Sequence, residues 1–218
     1  MTTTVSVLTR PRPISRRVSA LSFRSASAAT PALLTLSGLT LAGAFLTMIY
    51  LQSVSVADLS PVSTTVSDLV FVDGVGWLFG VSVVLLAVAS IALTVALART
   101  RLPGGALITA ILSLWSLGLI VAAVFPTDPV GMATVSLVGE IHRYAGATMY
   151  VSLPLAGWLL YRRSGSEPPW HPYRAAIRQL SLTAATLGVL FTLSHALKLF
   201  PESALSDLFA GHLVHGLV

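Results

Sequence analysis

The chain has 218 residues, a formal net charge of +5 and only 10% charged residues. A soluble globular domain carries about 25% charged residues, so this composition, with a mean hydropathy of +0.85, excludes a soluble fold. No cysteine is present, which excludes disulfides, thiolate metal sites and cysteine nucleophiles.

Residues 1–31 are rich in Ser, Thr, Arg and Ala and read as a disordered basic cytoplasmic tail. Ser15-Arg16-Arg17 has the look of an export signal, but the apolar run after it is longer than a signal core and further runs follow. Five apolar runs then fill residues 32–218: Ala32–Leu51, Gly74–Ala98, Gly105–Phe125, Tyr144–Tyr161 and Leu180–Phe200. Roughly 20 apolar residues suffice to cross a bilayer as a helix. The predicted fold is therefore all-α, a polytopic integral membrane helical bundle of five spans, multi-pass in the cell (plasma) membrane. Its certain partner is the lipid bilayer, and a homo-oligomer is compatible with the pattern.

Between the first two runs, Val62, Val66, Leu69, Val70 and Phe71 suggest a short helix on the membrane surface, capped by Asp58 or Ser60 with Pro61 at its first position. Pro103-Gly104-Gly105 breaks the chain into a tight hairpin between the second and third runs. The third ends at Phe125-Pro126-Thr127-Asp128-Pro129, where the prolines forbid helix continuation. Asp128-Pro129 fits a helix cap and first position, which starts the fourth helix early, over Met132–Arg143. Pro168-Pro169-Trp170-His171-Pro172-Tyr173 suits a headgroup-level loop before the fifth run.

The basic residues cluster at span ends. Arg10, Arg12, Arg16, Arg17 and Arg24 precede the first run, Arg99 and Arg101 lie between the second and third, and Arg162, Arg163, Arg174 and Arg178 lie between the fourth and fifth. Alternating spans place all of these on one face. Asp58, Asp68, Asp73, Asp128, Glu140, Glu202 and Asp207 fall on the other. Lys and Arg are retained on the cytoplasmic side, so the N-terminus is expected inside. A pI near 10.2 is thus explained by topology and anionic lipid, with no nucleic-acid partner.

Candidate chemistry gathers at the acidic face. Ionisable groups within or beside spans are functional candidates by default. Asp128, Glu140, His142 and His195 are the candidate acid–base residues. His142, His195, His212 and His215 are candidate ligands for a transition metal such as zinc, since neutral imidazole binds zinc and His212-x-x-His215 shares a helical face. The bland readings are a cap for Asp128, an ion pair of Glu140 with Arg143, and interfacial hydrogen bonds for the histidines.

The Phe125-Pro126-Thr127-Asp128-Pro129 loop, followed by Glu140-Ile141-His142 entering a span, resembles a bacterial family of six-span membrane proteins known as domain-of-unknown-function family nine-nine-eight. The resemblance runs from about Leu33 onward. It implies a six-helix fold and no particular activity. In that family a Gly-Leu-x-x-Arg-like stretch leads into the sixth span, whereas Gly216-Leu217-Val218 ends here, so the expectation is five spans and an aborted sixth.

Three functions fit these features: a non-enzymatic envelope or partner protein, a metal-dependent membrane enzyme acting on a lipid or envelope substrate at the outer face, and a small transporter. The last is disfavoured because the first three spans offer only Ser, Thr and Gly at depth.

Overall fold

A computed structural model describes residues 29–55, 65–100, 102, 104–129, 132 and 134–197, with backbone alone at residue 29 and at 194–197. The expectations for the 1–31 tail before residue 29, for Asp58, Ser60, Pro61 and Val62, and for His212 and His215 lie outside these residues. The described chain forms five α-helices: α1 (Ala29–Ser55), α2 (Trp77–Arg99), α3 (Gly105–Val124), α4 (Leu137–Ser164) and α5 (Arg174–Leu197). Two short 3-10 helices, Val66–Phe71 and Pro168–Tyr173, lie before α2 and α5.

The protein is a multi-pass membrane protein. Among the described residues, four helical segments are long and apolar enough to cross a bilayer: Thr30–Ser55, Trp77–Arg99, Gly105–Val124 and Pro168–Leu193. The expected fourth run forms a helix as read, but α4 is not apolar enough to join them. Its 28 residues include Glu140, His142, Arg143, Arg162 and Arg163 at the ends and Pro154 inside. The last segment begins well before Leu180, because Pro168–Tyr173 coils into a 3-10 turn that runs straight into α5.

α1 to α5 pack in series, each on its neighbour in sequence, with no close backbone approach between helices further apart. The neighbours α1 and α2 run antiparallel, and matched contacts fix their register. Ser37 Oγ on α1 donates to the Ala89 carbonyl on α2 at 2.9 Å, and Ser82 Oγ on α2 donates back to the Ala44 carbonyl at 2.9 Å. In lipid no water competes for such groups, and small residues let backbones approach closely. The pattern continues along the row. Trp115 Nε1 on α3 donates to Ser90 Oγ at 3.0 Å. A Cβ on Gly118 would stand 2.7 Å from Met149 Cγ and 3.3 Å from the Ala145 carbonyl of α4. A Cβ on Gly157 of α4 would collide with Ser181 Oγ of α5.

The 3-10 helix Val66–Phe71 forms within the expected segment and packs against the helices. Leu69 and Val72 are buried with Leu51, Phe79, Val83 and Leu119, closing one end of the α1–α3 core. Its cap is Thr65, whose N–H donates to Asp68 Oδ2 at 2.6 Å. Entry into α2 needs Gly74 at φ +74° and then Gly76, where a Cβ would strike the Val70 carbonyl and lie 2.8 Å from that of Val72.

That crowding comes from backbone, which cannot step aside. Gly76→Ala should lower stability in detergent by about 1–3 kcal/mol, the usual cost of overpacking. Gly146→Ala, with nothing within 4 Å of the added methyl, should be neutral or slightly stabilising in the same thermal-melt assay.

Candidate functional site

The end of the molecule carrying Asp68, Asp73, Asp128 and Glu140 is built around the start of α4. After α3 stops at Val124, the chain runs extended through two prolines, and Ser136 takes extended angles (φ −78°, ψ 157°) to open α4. Ser136 Oγ accepts the Gly139 N–H at 3.0 Å, satisfying one of the orphan donors of a helix start. Asp128 locks that cap from eight residues upstream. Its Oδ1 accepts from Ser136 Oγ at 2.5 Å and its Oδ2 from the Ser136 N–H at 3.0 Å. The carboxylate lies directly against Gly139, in space that a Cβ would fill.

The sequence reading is corrected here on two points. α4 begins at Leu137, so Asp128 is not its cap residue but holds the cap, Ser136, in place. Glu140 and Arg143 do not form the expected ion pair; among the described residues Glu140 is exposed at the first turn, while the Arg143 charge acts on Asp128. The hydrogen bond from the Ser136 hydroxyl, then that from its N–H, holds the Asp128 carboxyl below its usual range, with a smaller contribution from Arg143.

His142 faces the C-terminal end of α3. Its Nδ1 lies 2.8 Å from the Phe125 carbonyl. A carbonyl oxygen can only accept, so Nδ1 carries the proton and Nε2 of the neutral ring keeps its lone pair. The other end of α4 also meets α3. Arg163 lies over Gly104, the left-handed residue that opens α3, with its Nε 2.9 Å from where a Cβ would be. α4 therefore runs the full length of α3, from the Phe125 end to the Gly104 end.

The structure brings together Asp128, His142 and Arg143 around one helix start. Glu140 is there as well but points to solvent. His195 lies on the α5 backbone; Tyr150 faces Gly188 and Gly157 faces Ser181, a register that carries residue 195 to the level of residue 143. Among the described residues no three His, Asp or Glu side chains converge as a metal site would require. Sequence reasoning missed Ser136 and Gly139. The available signal was a serine immediately before an apolar periodic run.

It also missed the α4–α5 seam. Pro154 sits inside α4 and removes an N–H, leaving the Tyr150 carbonyl without its helical partner. Gly188 of α5 packs over that point, its Cβ position 3.5 Å from the Tyr150 carbonyl. Tyr150 and Phe191 rings stack at 4.7 Å. Two open apolar grooves flank the crossing. One, of about 340 Å³, is lined by Trp115, Met149, Leu153, Leu187 and Phe191 among others. The second, of about 470 Å³, runs along Tyr150, Pro154 and Trp158 of α4 and Leu182, Ala185 and Val189 of α5.

A family model described as a protein of unknown function (DUF998) matches residues 40–217, most of the chain. No curated protein and no solved structure matches.

A carboxylate with a depressed pKa contributes stability above its unfolded-state value and loses it as pH falls through the folded value. The stability gap between the protein and Asp128→Asn should therefore be constant above about pH 4 and close as the pH is lowered further. Thermal melts of both proteins across that range would show it; a gap unchanged at low pH would remove the carboxylate from the account.

Proposed function

The chain belongs to the DUF998 family, and from that premise we propose that it is a non-enzymatic component of the plasma membrane, acting through contacts made sideways in the bilayer. The observation that carries this reading is how the polar groups of the acidic end are used. Both Asp128 oxygens serve the α4 cap, the His142 N–H serves the end of α3, and Asp68 caps its own 3-10 turn. Each of these three has a structural partner, while Asp73 and Glu140 are exposed. Among the described residues, open apolar grooves lie elsewhere, facing outward between helices. Such grooves suit lipid chains or a partner helix rather than a water-soluble substrate.

In this reading α4 crosses with its neighbours. It meets both ends of α3, a helix apolar enough to span, and its 28 residues are about 42 Å long. Five crossings then put the basic ends of α2 to α5 in the cytoplasm and Asp128 outside.

A second reading has one observation in its favour. A histidine that donates Nδ1–H to a backbone carbonyl presents Nε2 as metal ligands do, and residue 195 lies at the same level. A zinc-type enzyme site at the outer face would use both, with Asp128 or Glu140 as acid–base groups.

Two measurements decide between these. Elemental analysis of the detergent-purified protein should find no stoichiometric transition metal; near-stoichiometric metal lost in His142→Ala would replace the proposal with the enzyme. Because the chain has no cysteine, single cysteines report topology without background. Thr134→Cys should react with an impermeant maleimide on intact cells and Ser166→Cys only after permeabilisation. Labelling of both from the same side would show that α4 does not cross.

A further inference from the structure

We propose that the basic end of the α4–α5 seam is a binding site for one anionic phospholipid, its phosphate held by Arg162 and Arg178 and one acyl chain laid in the groove beyond them. The argument starts from what the arginines at that end already do. Arg163 covers Gly104 at the start of α3. Arg174 stacks on the Tyr161 ring, its Cζ 4.7 Å from the centroid, and donates to the Tyr161 hydroxyl at 3.4 Å. Arg174 is thus committed to the fold, and Arg163 is turned toward α3 and away from the seam. Arg162 and Arg178 are exposed and make no hydrogen bond, ion pair or ring contact among the described residues.

Helical spacing places the uncommitted pair at the mouth of the larger groove. On α4 the groove follows Tyr150, Pro154 and Trp158, a row of fours whose next member is Arg162. On α5 it follows Val189, Ala185 and Leu182, and one turn further is Arg178. The facing of Gly157 with Ser181 sets residue 178 level with residue 160, so the two arginines differ in height by about 3 Å. They stand on adjacent helices, whose axes are typically 8–10 Å apart. Two guanidinium groups at that spacing reach the oxygens of a single phosphate, and Arg matches phosphate geometry with paired donors. The groove behind them, about 470 Å³ and almost wholly apolar, lies along the bilayer depth where an acyl chain runs. A lone apolar groove would accept any lipid; the arginine pair at its end selects the anionic one.

The site rests on α4 crossing the membrane, which the cysteine map tests separately. Native mass spectrometry of the detergent-purified protein with short-chain phosphatidylglycerol and phosphatidylcholine tests the site itself. Phosphatidylglycerol should bind at least about tenfold more tightly. The preference should vanish in the Arg162→Gln/Arg178→Gln double variant and persist in Arg99→Gln, which removes a charge from the same end but away from the seam. Ala185→Trp, which fills the groove, should weaken both lipids with both arginines intact. Equal binding of the two lipids overturns the proposal. So does a preference retained by the double variant or lost equally in Arg99→Gln, and so does water-soluble glycerol phosphate binding as tightly as the lipid.

Discussion

The hydrogen bond from His142 to the Phe125 carbonyl, just past the end of α3, spans 2.8 Å and helps to set where the least apolar helix lies. α4 carries charges at both ends and a proline within, so its own composition gives weak reason to cross a bilayer. Its position comes from α3. One end is held by His142 on Phe125, the other places Arg163 over Gly104, and between them Gly118 lets the two backbones approach. A partner so placed presents α4's far face to α5, and the grooves and the arginine pair lie along that seam.

Polar side chains inside the bilayer-compatible helices serve the same economy. Ser37 and Ser82 exchange hydrogen bonds with the facing backbones, and Ser90 both returns a bond to the Leu86 carbonyl and receives one from Trp115. Thr47, Thr94, Thr109, Ser113, Ser116 and Thr192 each bond back to a carbonyl one turn earlier. Among the described residues no buried side-chain nitrogen or oxygen is left without a partner. An unsatisfied group in hydrocarbon costs several kcal/mol. This explains how helices with so many hydroxyls remain compatible with lipid.

The helices were legible in the sequence because apolar length is a local property. α3 starts and ends within a residue of the reading, set by Gly104-Gly105 and Phe125-Pro126. The errors fall where distant residues decide. Asp128 followed by Pro129 has the local form of a helix start, but the carboxylate acts on Ser136 eight positions later, and no local pattern reports that. Glu140 and Arg143 have the spacing of an ion pair, but the Arg143 charge acts on Asp128, fifteen positions away, which no local pattern reports. α5 began early because Pro168 and Pro169 sit at the first turn of a 3-10 helix, where proline is tolerated, and not in an open loop. The α4–α5 seam was hidden for a related reason: Pro154 and Gly188 are ordinary until the register pairs Gly188 with Tyr150, one turn before the proline.

The serial packing of the helices bears on how the chain is made. Among the described residues, every close helix pair is a pair of neighbours in sequence. With this order of contacts, each of α2 to α5 can pack on a helix already made when it emerges from the ribosome. Contacts this local fold quickly, because little loop entropy is lost in forming them. Membrane insertion can therefore proceed hairpin by hairpin. On the proposed reading in which α4 crosses, it is the instructive case: too polar to be retained readily alone, it would enter beside a finished α3.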